Sequence, residues 1–198
     1  MRSKKFLSLF VLIVINISNI NYSYSIEPDV FIQSTVNRAS EALNNKFTKE
    51  QKIEKLKIIA SETVDIEGIG LYTLGSYRKS ITDDQKKEYY KLFEKYFLKS
   101  FASRLAEYSN PEIEVISKKK LNDNYTMVSS KLVPTEQRPE VKIDWRIYTK
   151  KPQNPLIRDL IIEGLSLART QKEEFSSIIQ SNDGDIDALF DTLRNFIK

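Results

Sequence analysis

The most regular pattern in the chain runs from Val141 to Ile179. Val141, Ile143, Trp145 and Ile147 alternate with Lys142, Asp144, Arg146 and Tyr148, the two-residue period of a strand with one face buried. Pro152 and Asn154-Pro155 mark a turn. Leu156 to Glu163 then resumes an extended apolar run. Leu160 and Ile162 fall on one face, Ile157, Asp159 and Ile161 on the other. Gly164 breaks this strand, and Leu167, Phe175, Ile178 and Ile179 follow at helical spacing, with Thr170-x-x-Glu173 reading as a capping box. Upstream, Ile113 to Lys119 and Tyr125 to Val133 read as two further strands. They are joined by the turn residues Asn122-Asp123-Asn124 and followed by a turn from Pro134 to Pro139. Short connections between successive strands predict a four-stranded antiparallel meander over residues 111–164.

The part before the sheet, 26–109, is helical in pattern. Pro28 suits a first helical position, and Ile32, Val36, Ala39 and Leu43 share a face of a helix running through Asn44. Thr48-x-x-Gln51 caps a second helix that buries Ile53, Leu56 and Ile59. Asp65 to Leu74 predicts a short third helix in which Gly68 and Gly70 each cost about 1 kcal/mol relative to alanine. Such glycines imply close packing against another element, or a kink. Thr82-Asp83-Asp84-Gln85 opens the longest helix, expected to reach Tyr108 and to span about 40 Å. Along it Tyr89, Phe93, Tyr96, Phe97, Phe101 and Leu105 form an aromatic stripe, which serves a core or lines a cavity. A last helix begins near Asp185 and buries Ile186, Leu189, Phe190 and Leu193, within a C-terminal helical part over 165–198. Helices, then a contiguous sheet, then helices predict an α+β fold. Its four-stranded antiparallel meander is covered on one face by the N-terminal and C-terminal helices, and sheet and helices enclose an apolar pocket. Residues 26–198 form one domain, with no internal repeat or low-complexity linker to divide them.

Residues 1–25 carry a different signal. Arg2, Lys4 and Lys5 precede an apolar run from Phe6 to Ile17, and Ser23 and Ser25 occupy the −3 and −1 positions of a cut after Ser25. The run is shorter than the ~20 residues of a spanning helix, so a cleaved secretory leader is expected and export follows from it. This changes the charge argument. The chain has 31 basic and 27 acidic residues, and the leader holds three basic and no acidic ones, so the mature part carries only +1. Basicity therefore gives no support to a nucleic-acid partner. The charge that remains is uneven: lysine-rich from Arg78 to Arg104, basic at Lys118-Lys119-Lys120, acidic from Glu173 to Asp191.

Catalytic chemistry is sparse. The chain has neither histidine nor cysteine, which excludes Ser-His-Asp and Cys-His sites, the usual zinc sites, disulfides, and tethering through an N-terminal lipidated cysteine. Five glycines include no Walker A loop and no GxGxxG, so no cofactor is expected. Asn182 to Asp187 lacks the terminal Glu of a calcium loop and reads as helix capping, so no metal is expected either. Asp144 and Glu163, on neighbouring strands, are the one candidate acid–base pair. Pairing with Arg146 or Arg158, or solvation on the outer face, is the simpler account of them.

Two segments carry a family likeness. Leu74-Gly75-Ser76-Tyr77-Arg78-Lys79 leads into Thr82-x-x-Gln85-Lys86-x-x-Tyr89-x-x-x-Phe93; Val141-x-Ile143-Asp144-Trp145 is followed by Asp159-Leu160-Ile161-Ile162-Glu163-Gly164-Leu165-Ser166-Leu167. In these blocks and in element order the chain resembles the MlaC-type periplasmic phospholipid-binding proteins, the toluene-tolerance auxiliary family of the Mla ABC transport system. It departs from the family pattern at Leu156, where a tryptophan usually enters the last strand, and at Leu167, usually methionine. The resemblance implies a non-catalytic periplasmic carrier. Such a protein holds a phospholipid's acyl chains between sheet and helices and shuttles it between an outer-membrane lipoprotein complex and an inner-membrane ABC transporter with an MCE-domain subunit. Lipid contacts are then expected from Leu74, Tyr77, Phe93, Phe97, Met127, Ile143, Trp145, Leu160, Ile162 and Leu165, each with ordinary core packing as its alternative, and Arg78 or Arg146 stands as the candidate for a phosphate. A hopanoid ligand, an isomerase-like enzyme on a related cone-shaped α+β scaffold, and an adaptor with a filled core are the competing expectations.

Overall fold

The first element among the described residues of the computed structural model is a helix whose first residue is proline. The structure describes residues 24–136 and 138–198, so nearly all of the expected leader lies outside the described residues. Helix α1 (Pro28–Ala42) is followed by α2 (Lys49–Thr63), α3 (Ile66–Thr73), a single 3-10 turn at Tyr77–Lys79 and α4 (Asp83–Leu105). Strands β1 (Ile113–Asn122), β2 (Tyr125–Leu132), β3 (Val141–Tyr148), β4 (Leu156–Ile162) and β5 (Leu165–Ser166) precede α5 (Leu167–Gln180) and α6 (Ile186–Ile197). Capping boxes are formed at Thr48 with Gln51 and at Thr82 with Gln85, each satisfying amides at a helix start that have no partner within the helix. Helix α4 ends at Leu105 rather than Tyr108, its cap being Ala106. No helix among the described residues is long and apolar enough to cross a membrane.

The strands pair antiparallel in the order β1-β2-β3-β4-β5, the expected meander with one short strand added. That fifth strand follows from the Glu163-Gly164 corner. Both residues have positive φ, 49° and 83°. Positive φ at both central residues is what a two-residue hairpin loop requires, and Ile162 consequently pairs with Leu165. Helix α5 then starts at Leu167, capped by the Ser166 hydroxyl, which accepts from the Arg169 amide. The capping box expected at Thr170 is not formed; Thr170 lies in the first turn and its hydroxyl donates to the Ser166 carbonyl at 3.1 Å.

Three apolar clusters hold the elements together. Helices α3 to α6 share the largest, around Leu74, Tyr89, Phe93, Phe175, Ile179 and Phe190. Ile32 and Val36 of α1 pack on Val128, Ile147 and Ile157 of the sheet. Ala42 and Leu43 meet Leu56 of α2 and Ala102 and Ala106 of α4. The two α3 glycines are explained by close approach. A Cβ on Gly70 would stand 2.8 Å from the Phe93 ring, and one on Gly68 would collide with the Asp65 carboxylate that caps the helix. Gly70→Ala is therefore expected to destabilise the protein by about 1–3 kcal/mol, the usual cost of overpacking, although alanine is the better helix former. Thermal unfolding measures it, and an unchanged melting temperature would contradict the packing.

Candidate functional site: an apolar cleft between sheet and helix α4

Which sheet residues face the helices is settled by register. Val128 pairs with Trp145, Ser130 with Ile143 and Leu132 with Val141. Across the next ladder Ile143 pairs with Ile162, Trp145 with Leu160 and Ile147 with Ile157. Residues opposite one another in a ladder point to the same face. The inner face is therefore a continuous apolar surface from β2 to β4, and Leu165 extends its Ile143–Ile162 row onto β5.

That face has two halves. Near Thr126, Ile147 and Ile157 it is covered by α1 and belongs to the core. Toward Val141, Ile143, Leu160 and Ile162 it joins none of the three clusters, and apart from Ile143 these side chains remain half-buried. The packing of the helices accounts for this. Helix α1 lies on β1 and β2, α3 and α5 pack against β4, and α4 packs on α2, α3 and α6. Helix α4 therefore packs mainly on other helices and not on the β3–β4 surface. On α4, Phe93, Phe97, Phe101 and Leu105 follow one another at four-residue steps, leading from the α3–α6 cluster to the α1–α2–α4 cluster. Phe97 and Phe101 stack with centroids 5.5 Å apart and planes 8° from parallel, and both are half-buried. Half-buried aromatic rings on α4 and half-buried aliphatic residues on β3 and β4 are the side chains on which a site for alkyl chains would draw.

Polar groups within this region are satisfied internally. Trp145 Nε1 donates to Ser130 Oγ at 2.8 Å, and that hydroxyl donates to the Ile143 carbonyl at 3.1 Å, which holds the indole flat against the sheet. Tyr89 donates to the Gly70 carbonyl and shares a hydrogen bond with Thr73, and its burial pushes the phenol well above the ordinary tyrosine range. Burial likewise raises Tyr96, whose hydroxyl donates to Gln171. Neither ring is an acid or base near neutral pH.

The expected lipid-contacting residues separate into groups. Ile143, Trp145, Leu160 and Ile162 lie together on the inner face, and Phe97 is on the α4 wall. Leu165 shares their face but is 60% exposed, at the rim and not at the floor or in the wall. Leu74 and Phe93 are fully buried in the α3–α6 core, and Tyr77 packs against that core from the 3-10 turn. Met127 pairs with Lys119 and Arg146 on the opposite face of the sheet. Phe101 and Val141, half-buried as well, and Leu132, buried on the same inner face, are absent from the expected set. Phe101 was signalled by its four-residue step from Phe97, and Val141 by alternation with Ile143.

Charged residues are placed differently from expectation too. Asp144 accepts from Ser129 at 2.6 Å and pairs with Lys142, while Glu163 accepts from the Lys142 amide. Both carboxylates are thus held by structural partners, neither of them Arg146 or Arg158. Arg158 instead reaches Asp65 and the Tyr125 hydroxyl and covers the Tyr148 ring at 4.1 Å, tying β4 to the start of α3. Arg146 lies on the outer face beside Asp159, and Arg78 is exposed in the 3-10 turn, so neither stands at the cleft. Asp159, 4% exposed, accepts from the Ser166 hydroxyl at 2.6 Å and the Ala168 amide at 3.1 Å. The Asp159–Ser166 block is therefore a device that folds β5 and the first turn of α5 back onto β4. It is not a chemical site. Among the described residues no group of acidic side chains is arranged to hold a metal ion. A groove of about 440 Å³ between α1 and the start of β1, lined by Gln33, Asn37, Ser40, Glu112 and Glu114 among others, is too polar for alkyl chains.

An antiparallel sheet flanked by helices, with part of its apolar face left open opposite an aromatic helix, defines the class of small α+β proteins with an internal apolar site. The chain belongs to the MlaC protein family, whose model matches residues 33–195. A 61-residue segment is 38% identical to the intermembrane phospholipid transport system binding protein MlaC of Haemophilus influenzae, covering 31% of this chain and 28% of that protein's length. In fold the chain is similar to a phospholipid-binding protein from Ralstonia solanacearum solved in complex with a phospholipid. The TM-score is 0.72 at 17% identity, over 87% of this chain and 97% of that one.

Proposed function

We propose that this protein is a periplasmic phospholipid carrier, which takes the acyl chains of one lipid into the cleft between α4 and the β3–β4 inner face. The observation that carries the proposal is the unfilled half of the inner face in a member of the MlaC family. Each methylene moved from water into such a surface is worth about 0.8 kcal/mol, so two acyl chains are held without any bond being made. Binding of this kind needs no catalytic group, and a carrier without catalysis is supported by the two candidate carboxylates, which serve Ser129, Lys142 and the Lys142 amide. The relatives' printed descriptions name phospholipid binding and intermembrane transport. By extension the carrier exchanges lipid with an inner-membrane ABC transporter complex bearing an MCE-domain subunit and with an outer-membrane lipoprotein complex.

Mass spectrometry of an organic extract of the purified, exported protein is expected to show diacyl phospholipid close to one per chain. A polycyclic lipid such as a hopanoid in its place would reassign the ligand. Free fatty acid released at turnover and abolished by Asp144→Asn would instead make the protein a hydrolase.

A further inference from the structure

The cleft has an open end, and the charges around it are not spent on the fold. The β2–β3 connection, described at 133–136 and 138–140, joins Leu132 to Val141, a cross-strand pair on the inner face, and so stands at the end of the sheet where Ile162 and Leu165 also sit. The loop is held there by the Val133 amide, which donates to the Glu112 carbonyl, and by a two-way backbone bridge between Thr135 and Arg138. From this loop Arg138 reaches the segment just after α4, with its guanidinium over the Tyr108 ring at 5.7 Å from the centre. Its Nε is buried and has no hydrogen-bond acceptor. A buried guanidinium N–H without an acceptor is uncommon, because its desolvation is not compensated. Arg104 stands one turn before Tyr108 on α4, next to the Phe97–Phe101 line, and is exposed. Neither arginine has a carboxylate within ion-pair distance among the described residues, although fourteen such pairs form elsewhere.

We propose that Arg138, over the Tyr108 ring and assisted by Arg104, is the anion-binding end of the cleft and holds the phosphodiester of the bound lipid. The inference rests on the carrier function proposed above and adds the residues that recognise the headgroup. The Nε edge of a guanidinium presents two parallel donors that match two oxygens of one phosphate, and the neighbouring Tyr108 ring gives the cation a favourable face. The same geometry accepts a free phosphate ion, so the source of the oxyanion has to be separated by experiment.

Delipidated protein is titrated with dioleoylphosphatidylglycerol and with dioleoylglycerol, which has the same tails and no phosphate. The wild type is expected to prefer the phospholipid by about tenfold to a hundredfold, the worth of one or two charge-assisted hydrogen bonds. Arg138→Leu is expected to remove most of that preference with dioleoylglycerol binding unchanged, and Arg104→Gln to reduce it by a few-fold. The neutral lipid is the control for folding within each variant. Should Arg138→Leu melt early, Arg138→Lys keeps the charge but loses the Nε donor and is expected to lose part of the preference. Equal affinity of the wild type for both lipids, or an undiminished preference in the variants, overturns this proposal and leaves the carrier function standing. Failure of the wild type to bind either lipid overturns the carrier function and this proposal with it. Inorganic phosphate binding to the delipidated wild type, lost in Arg138→Leu, without any preference between the two lipids, would assign the site to free phosphate instead.

Discussion

Leu160→Glu is expected to leave the protein folded and empty. Leu160 pairs with Trp145 on the inner face, is half-buried, and belongs to none of the three clusters that hold the elements together. Without lipid its carboxylate stays in contact with water. With lipid bound it would be enclosed among methylenes, where an uncompensated charge costs several kcal/mol, enough to lower lipid affinity by about a hundredfold or more. Leu165→Glu, in the same sheet face but 60% exposed at the rim, is the contrast and is expected to keep most of the lipid. Circular dichroism establishes folding and quantitative lipid extraction reads the cleft. A folded Leu160→Glu protein that retains its lipid would show that the chains lie elsewhere.

The largest effect on stability is expected at Asp159. Its carboxylate is buried, takes hydrogen bonds from the Ser166 hydroxyl and the Ala168 amide, and lies 3.9 Å from an Arg146 nitrogen. Asp159→Ala leaves both donors without an acceptor at the start of α5 and removes the carboxylate within ion-pair distance of Arg146. A loss of about 2–4 kcal/mol follows, since each buried donor left unpaired costs about 1–3 kcal/mol. Asp159→Asn is expected to retain part of this through the hydrogen bond it can still accept. Denaturant unfolding of the two variants decides the matter. If alanine and asparagine are both as stable as the wild type, the hydrogen bonds of the Asp159–Ser166 block contribute nothing net.

The helices and the meander were legible because each rests on a local rule: two capping boxes, a proline at a first helical position, strict alternation in β3. The cleft was legible only in part, and the misplacements have identifiable causes. In β4, strict alternation places Ile157 with Asp159 and against Leu160 and Ile162. The ladder shifts register between Arg146 and Ile147, so that Arg158 is the extra residue and Ile157 returns to the inner face with Ile147. A bulge of this kind leaves no mark in the hydrophobic pattern. In β2 the inner face carries Thr126, Val128, Ser130 and Leu132 and the outer face Tyr125 and Met127, so apolar character alone does not choose the side. The choice rests on the Ser130–Trp145 hydrogen bond, a long-range contact, and it turns Met127 outward. Leu74 and Phe93, expected at the lipid with core packing as the alternative, lie in the α3–α6 core. Phe93 faces α3 and α5, and Phe97 packs half-buried at the edge of that same core, stacked on Phe101. Thr170-x-x-Glu173 matched a capping box by spacing, but the hairpin at Glu163-Gly164 brings Ser166 to the helix start four residues earlier.

The central claim is that alkyl chains occupy the space between α4 and the inner face of β3 and β4. It is tested most directly by a phospholipid carrying a photoreactive diazirine at mid-chain, loaded into the delipidated protein, irradiated and mapped by peptide mass spectrometry. Cross-links are expected on the peptides that carry Phe97 and Phe101 and on those that carry Val141, Trp145, Leu160 and Ile162. Labels confined to the outer face around Met127 and Lys119, or to the polar groove beside Gln33, would contradict it.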